Sequence, residues 1–322
     1  MRIIDFTIDH LAQAERLAKI NYEEERAAVP ALPPVDKLPD LAAFADKRGV
    51  AAVGKHGLLG FFCWYEPWER LFGLSKGAWS PVHAHGAVEK GRAEICARLY
   101  QAAADLLVND GVFCHSVTLY EHDAAACGSF VLNGFGLRCV DAIRETQPII
   151  IQPPAGAAFK QAGTGDVEIL TEMRNATGVH LSTSPMFMPH TPVSAEETER
   201  EMKNGKFYFL AYYNERPAAY IRVQETGETF AAADNSVMNI TGAYAFPEFR
   251  GTSLTAGLLA WLMDWLRERG VPRCGVDFEC FNYTGRKFWL KYFTAYTRGV
   301  VRRIDERIIL LRFLPPPYSA PP

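Results

Sequence analysis

The feature that most constrains this chain is that it repeats itself. The segment Asp105-Leu-Leu-Val-Asn-Asp-Gly-Val112 and the segment Asp264-Trp-Leu-Arg-Glu-Arg-Gly-Val271 align without a gap at an offset of 159 positions. The same offset carries Leu99 onto Leu258, Val117 onto Val276, Asp123 onto Asn282 and Phe130 onto Trp289, and it brings the Gly91-Arg92 corner beside Arg250-Gly251. A glycine that stops a helix is common by itself. A shared offset together with the same order of elements marks a duplicated structural unit. Whatever one half folds into, the other must be able to fold into as well.

With 322 residues the chain has room for two domains of ordinary size. The stretch Gln152-Pro-Pro-Ala-Gly-Ala-Ala158 reads as a linker at mid-chain. The expected division is therefore 1–150 and 158–312, followed by a proline-rich tail at 313–322. A composition of 48% hydrophobic and 12% aromatic residues excludes a disordered chain. A net charge of −3 and a pI near 6.3 give no global basic field, so neither nucleic acid nor an anionic membrane is expected as a partner. The longest apolar runs fall far short of the ~20 residues that span a bilayer. Asp5 interrupts the N-terminus, where no apolar signal segment follows. Seven cysteines, odd in number and without paired zinc spacing, read as reduced thiols in a cytoplasmic protein.

Periodicity and punctuation give a coarse layout of each half. In the first, a strand (2–8) leads to an amphipathic helix (10–26), a short helix (38–47) and strands at 50–54, 58–64 and 78–85. A long helix (92–110), a strand (113–120), a helix (124–132) and a last strand after Gly136 follow. In the second, a strand (159–162) precedes helices opening at Asp166 and Ser194 and strands at 207–213, 218–224 and 236–245. A helix (253–269), a strand (274–280), a helix (283–292) and a strand (297–304) complete it.

The stretch Ile240-Thr-Gly-Ala-Tyr-Ala-Phe-Pro-Glu-Phe-Arg-Gly-Thr-Ser-Leu-Thr-Ala-Gly-Leu-Leu259 carries the chemistry. A strand, a tight turn and a helix opened by Ser253 aim several free N–H groups at one point. The helix dipole adds to them, and together they suit a pyrophosphate. Downstream come Val276-Asp-Phe-Glu279, then Asn282, then a helix with Phe288-Trp289 and Tyr292-Phe293 near its end.

Together these motifs resemble the acetyl-CoA-binding core of the GNAT superfamily of N-acetyltransferases. That family shows Arg/Gln-x-x-Gly-x-Gly/Ala and, later, an Asn before an aromatic-rich helix. The resemblance covers 158–309, and through the repeat it reaches 1–146 more faintly, so a tandem member is implied. The fold it implies is α/β (α+β), with two similar domains, each a mixed, mostly antiparallel twisted sheet flanked by helices. The activity it implies is transfer of an acetyl or other short acyl group from acetyl-CoA to a primary amine, by direct attack in a ternary complex.

Carried onto this sequence, Arg250, Gly251, Thr252, Ser253, Leu254 and Thr255 would bind the pyrophosphate. Ala243 and Ala245 would offer backbone N–H groups to pantetheine and oxyanion, Asn282 would steady the pantetheine arm, and Trp289 would wall it. Ser253 and Thr255 replace two small-residue positions. The family's proton-donating tyrosine falls on Trp289, and on Phe130 in the first half, neither of which can donate from an oxygen. Glu279 is the expected base, and Tyr292, one turn beyond Trp289, the candidate acid. The first half retains Gly86, Gly91 and Arg92 but no clear core of the motif, and is the weaker cofactor candidate.

Other features have plain readings beside sharper ones. His83 and His85 share a strand face and could begin a zinc site with His115 or His122; the plain reading is two half-buried histidines. Asp277 and Glu279 share a face and could deprotonate an ammonium, or form ion pairs with Arg273 or Lys287. The stripe Trp261, Trp265, Phe288 and Trp289 reads mostly as core. The proline-kinked segment 183–192 reads as a pocket cover or as packing between domains. The acceptor is expected to be a small-molecule or peptide amine, and the protein a monomer or homodimer. Two alternatives stay open: a non-catalytic acyl-CoA-binding module, and an aminoacyl or peptidyl transferase using charged tRNA, against which the acidity argues.

Overall fold

The computed structural model describes residues 1–309, so the tail expected at 313–322 lies outside the described residues. The first half contains β1 (Arg2–Asp5), α1 (Leu11–Ala28), β2 (Gly49–Gly54), β3 (Gly57–Cys63), β4 (Gly77–Ser80), β5 (His85–Ala87), α2 (Arg92–Asn109), β6 (Cys114–Tyr120), α3 (Ala124–Leu132) and β7 (Gly136–Glu145). The second contains β8 (Ala157–Gln161), α4 (Val167–Ser182), α5 (Ala195–Lys203), β9 (Phe207–Tyr213), β10 (Arg216–Gln224), β11 (Val237–Ala245), α6 (Leu254–Glu268), β12 (Arg273–Glu279), α7 (Tyr283–Tyr292), β13 (Thr294–Ala295) and β14 (Thr297–Arg303).

The offset read from the sequence holds across these elements. Moved by 159, β2 and β3 fall on β9 and β10, β6 falls on β12, and α3 falls on α7. The helix stops match in conformation as well, with Gly111 at φ 74° and Gly270 at φ 71°. Both positions need the left-handed turn that glycine supplies without strain. Two expectations differ from the structure. The short helix at 38–47 folds as successive turns, with Pro39 inside the span and Asp46 at φ 58° near its end, although Leu38, Leu41 and Phe44 are buried at helical spacing. The single strand expected at 78–85 is broken into β4 and β5.

The compact units cut across the sequential halves. One unit takes Met1–Glu25, Lys37–Arg138 and the chain from Thr297; the other takes Arg26–Asp36 and Cys139–Tyr296. In the second unit the strands run β8-β9-β10-β11-β12-β7, with β11 and β12 parallel and the other pairs antiparallel. In the first, β1-β2-β3-β5 form an antiparallel sheet, while β4 pairs in parallel with β6 and β6 pairs antiparallel with β14. The last strand of the first half therefore closes on β12 of the second, and the last strand of the second half closes on β6 of the first. The boundaries 1–150 and 158–312 do not separate the units for this reason. Backbone ladder bonds do not distinguish one copy's strand from its duplicate, so a duplicated sheet can complete itself with either final strand.

The core under the second unit's sheet is α6. Leu254, Leu258, Leu259, Leu262, Met263 and Leu266 pack against Phe209, Ile221, Val276 and Phe278. Leu262 is fully buried, so truncating it to alanine costs about 2–5 kcal/mol. Trp265 and Trp289 join this core, with Trp261 and Phe288 at its margin. On the opposite face α4 brings Leu170 and Met173 onto Tyr208, Leu210 and Tyr220.

Candidate active site

A gap in the second unit's sheet organises the site. β11 pairs with β12 only from Val237–Arg273 to Ile240–Val276, whereas its pairing with β10 continues to Ala245. The change begins at a bulge: the β10–β11 register steps from Val223↔Ile240 to Arg222↔Gly242, leaving Thr241 as the extra residue. Arg222 clamps that residue, donating from Nη2 to the Thr241 carbonyl at 2.6 Å and from Nε to Thr241 Oγ1 at 3.2 Å. A bulge bends its strand and sharpens the twist, and here it carries the end of β11 away from β12.

The same geometry decides which backbone groups face the gap. The Phe246 N–H donates to the Ala218 carbonyl at 3.0 Å, on the β10 side. Alternation along the strand then turns the N–H groups of Ala243 and Ala245 the other way, toward the edge that β12 has left. The Ala245 carbonyl, on that edge, accepts from Arg250 Nε at 2.9 Å.

Next to the gap lies the turn into α6. A single 3-10 turn, Pro247–Phe249, leads through Arg250 to Gly251 at φ 75°. Nothing stands within 4 Å of where a Cβ on Gly251 would be, so this corner is an open cradle. Thr252 Oγ1 donates to the Phe249 carbonyl (2.7 Å) and accepts from the Leu254 N–H (3.3 Å). Ser253, the N-cap of α6, makes no side-chain cap bond and is exposed. Leu254 is buried and Thr255 half-buried. The 15-residue helix behind them supplies aligned dipoles and orphan N–H groups, and an exposed arginine stands at the rim.

Asn282 caps α7, its side chain accepting from the Gly285 N–H at 3.2 Å. It also hydrogen-bonds His180, a residue of α4 that sequence reasoning missed. The His180 ring lies 6.4 Å from that of Tyr244 on β11. Burial and the nearby Arg250 charge lower its pKa, with the Asn282 bond opposing them. No spacing rule links a histidine on α4 to the cap of α7 so far along the chain.

Glu279 is half-buried near the end of β12, and its carbonyl accepts from the Asn282 N–H at 3.1 Å. Asp277, on the same face, keeps access to water. The crowding of protein atoms, then Glu228 and Glu279, push its pKa up to about 6, while its own backbone N–H and Arg222 pull the other way. Behind it Glu201 gathers Tyr208 Oη (2.6 Å), Lys206 (2.9 Å), Arg174 (3.1 Å) and Arg222 (3.2 Å). These partners outweigh desolvation and hold the Glu201 carboxyl down at about 2.

The structure thus brings Ala243, Ala245, the Arg250–Thr255 turn, Glu279 and Asn282 to one gap. Trp289 packs in the core behind it, between Phe288 (4.9 Å) and Phe293 (5.8 Å). Tyr292 is not brought in. It sits at the far end of α7 from Asn282, with Lys291 over its ring at 5.2 Å and its carbonyl accepting from Arg144, which pairs with Cys274 at the start of β12. A shallow depression lined by Gly156, Ala158, Lys160, Tyr212, Asn214 and Glu215 lies on the β8–β9 edge, with β10 between it and β11, and takes no part in the gap.

The histidines considered for zinc are engaged separately. His85 bonds the Thr118 carbonyl, His115 bonds Tyr100 Oη and the Val112 carbonyl, and His122 bonds Glu25. No group of three or more metal-ligating side chains occurs among the described residues. All seven cysteines are free thiols.

The described chain is thus a duplicated α/β scaffold with a parted pair of parallel strands beside the N-terminus of α6. Residues 177–293, from α4 through α7, match the Acetyltransferase (GNAT) family. A GCN5-related N-acetyltransferase from Sphaerobacter thermophilus shares the fold over 94% of this chain and 95% of its own, at 13% identity and a TM-score of 0.55. A GCN5-related glucosamine N-acetyltransferase region of a fungal multi-domain GH3 β-N-acetylglucosaminidase matches over 93% of this chain and 38% of that one, at 13% identity and a TM-score of 0.51. A tandem GNAT protein from the clavulanic acid biosynthesis pathway matches over 95% and 98%, at 14% identity and a TM-score of 0.43. No curated protein matches the sequence. Among the described residues no helix is long and apolar enough to cross a membrane.

Proposed function

We propose that the protein is an acyl-CoA-dependent N-acyltransferase, moving an acetyl or other short acyl group from CoA to a primary amine by direct attack within a ternary complex. The observation that supports it best is the gap between β11 and β12 opening beside the uncapped start of α6. The residues present fit acetyl-CoA. Gly251 leaves room for a pyrophosphate, while the turn from Arg250 through Thr252, Ser253 and Leu254 to Thr255 supplies N–H groups, hydroxyls and one guanidinium. Ala243 and Ala245 offer N–H groups to the pantetheine amides and to the oxyanion formed at the thioester carbon, a contribution worth ~3–4 kcal/mol per donor in comparable sites. Asn282, with its amide group, steadies the pantetheine arm, and Trp289 backs the wall.

A carboxylate on β12, Glu279 or its neighbour, receives the amine's proton. The thiol of CoA has a pKa close to that of cysteine, about 8.5 or somewhat higher, so the thiolate leaves with little help. Tyr292, distant from Asn282, contributes less than tenfold through water. Free cysteines and the lack of a strong net charge support a reducing, cytoplasmic setting, a small or peptidic amine as partner, and a monomer or homodimer without nucleic acid.

One observation favours a second reading, a non-catalytic acyl-CoA-binding module: a tryptophan stands where the family places its tyrosine. The separating experiment is CoA-thiol release measured across a panel of primary amines. Turnover with any of them supports transfer. Tight acetyl-CoA binding with no release from any amine supports the binding module, and salt-dependent binding of charged tRNA would reopen aminoacyl transfer.

A further inference from the structure

We propose that His180, in the last turn of α4, is a positioning residue for the cofactor arm, tying Asn282 at the start of α7 to Tyr244 on β11 across the mouth of the gap. This rests on reading the gap as an acyltransferase site.

The placement follows from the helix period. Leu170, Met173, Thr177 and His180 form one stripe of α4. Leu170 and Met173 pack with Tyr208 and Leu210 of β9 and Tyr220 of β10. One turn on, Thr177 Oγ1 and Tyr220 Oη share a hydrogen bond at 3.1 Å. His180, a further turn along, has its ring 6.4 Å from that of Tyr244 on β11 and a side-chain hydrogen bond with Asn282, which follows β12. The stripe thus crosses the sheet strand by strand. Its last member reaches both sides of an opening whose strands stop pairing at Ile240 and Val276.

Asn282 gains from such a hold. Its side-chain oxygen accepts from the Gly285 N–H and from Thr284 Oγ1, each at 3.2 Å, which fixes the cap of α7. Both of those bonds stay within its own helix. His180 relates the amide to a second element, and so sets where a pantetheine arm would meet it.

The first half supplies an internal comparison. Its N-terminal elements repeat at an offset of 156: the 3-10 turn Ile8–His10 falls on Thr164–Asp166, and Leu11, the first residue of α1, falls on Val167 of α4. The same shift carries Glu24 onto His180. Glu24 is linked to Asp123, the counterpart of Asn282, through Arg92, whose Nη1 bonds the two carboxylates at 2.8 and 3.2 Å. In both copies one position of the first long helix is tied to one cap. The chemistry of the tie differs. Two carboxylates draw Arg92 inward, leaving 10% of its side chain exposed. In the second copy a histidine and an amide replace them. Arg250 stays exposed at the rim, its Nε on the Ala245 carbonyl at 2.9 Å and its guanidinium 5.2 Å from the Tyr244 ring. His180 therefore keeps the tie without drawing an arginine into the cradle.

The test is calorimetric titration of acetyl-CoA into the full chain, beside kinetics with a working amine. His180→Phe keeps a ring against Tyr244 but loses the ring nitrogens. It should weaken acetyl-CoA binding and raise the KM for acetyl-CoA about tenfold, the size of one lost hydrogen bond. The KM for the amine should not change, and kcat at saturating acetyl-CoA should fall less than threefold. A merely structural role would lower stability without separating the two KM values. His180→Gln, which keeps a donor and an acceptor, should restore acetyl-CoA affinity to within threefold of the wild type. Asn282→Ser keeps a cap for α7 and loses the reach to α4, so His180→Phe should add no further loss in that background. His180→Glu, which brings the first half's carboxylate beside Arg250, should weaken binding at least as much as His180→Phe. Unchanged acetyl-CoA affinity and KM in His180→Phe, or the same loss with and without Asn282→Ser, would overturn the proposal while leaving the acyltransferase reading intact. Failure of the wild-type protein to bind acetyl-CoA would overturn both.

Discussion

In the second half β11 runs unbroken from Val237 to Ala245 and leaves β12 at Thr241. In the first half the equivalent residues are split between β4, which pairs with β6, and β5, which pairs with β3. The opening that remains in one is bridged in the other, where the His85 imidazole reaches from β5 to the Thr118 carbonyl of β6 at 2.8 Å. The helix starts differ in the same sense. α2 begins at Arg92, directly after Gly91 at φ 76°, so helix occupies what in the second half is the turn before Leu254. The position of Ser253 is Glu94 there. Arg92 folds inward, binding Glu24 at 2.8 and 3.0 Å and Asp123 at 3.2 Å. Asp123 is the counterpart of Asn282, and the two caps share φ and ψ to within a few degrees. Duplication preserved the scaffold, while the first copy filled its gap with its own side chains.

The largest expected effect comes from making the second half resemble the first. Ser253→Glu places a carboxylate where the pyrophosphate would sit and should weaken acetyl-CoA binding more than 100-fold by calorimetry. Glu94→Ser should leave binding unchanged. Restoration of a second binding event by Glu94→Ser alone would break the comparison, because the Arg92 plug would then be irrelevant.

Next in size is the plug itself. Arg92→Leu strands Asp123, whose side chain is 15% exposed, beside Glu24, and should cost about 2–3 kcal/mol in chemical denaturation. Arg250→Ala removes an exposed side chain and should change stability by less than ~0.5 kcal/mol. Equal losses would mean that the two arginines play equivalent roles.

Acid should separate the two units. Burial pushes His83 and His115 down to about 4 and lowers His85, all in the first unit. Their folded-state values lie below the unfolded 6.5, so the stability they allow is complete above pH 6.5 and is lost as pH falls from there toward about 4. Glu201, in the second unit, is held at about 2 against 4.5 unfolded, so its contribution is complete above pH 4.5 and lost as pH falls toward 2. Hydrogen exchange at pH 5 should show β6 and α2 losing protection before β9 and β10. The reverse order would contradict this assignment.

The smallest effect is expected at Tyr292. Packed beside Lys291, Tyr292→Phe should lower kcat less than threefold with KM for acetyl-CoA unchanged. A tenfold fall would restore the tyrosine as the acid and place the thiol end of the cofactor further along α7.

Much of this could be read from residue order because the repeat and the helix punctuation are local signals. The Ser194 and Asn282 caps and the Gly111 and Gly270 stops were legible for that reason. So was the turn at 250–255 into α6, since it occupies six consecutive residues. The exchange of β7 and β14 was not legible, because both strands are equally able to pair with either partner. His180 reaches Asn282 only through tertiary packing of α4. The place where β11 and β12 part was not legible either, because a bulge at Thr241 and a clamp from Arg222 determine it. The ion pairs of Arg92 were hidden as well: in sequence it is one corner of the repeat, and only tertiary packing brings Glu24 and Asp123 to it.

The central claim is that one gap of the two is open. Titrating acetyl-CoA into the full chain by calorimetry tests it most directly. The account predicts one binding event per chain, lost in Ser253→Glu. Two events per chain, or a single event that survives Ser253→Glu, would contradict it.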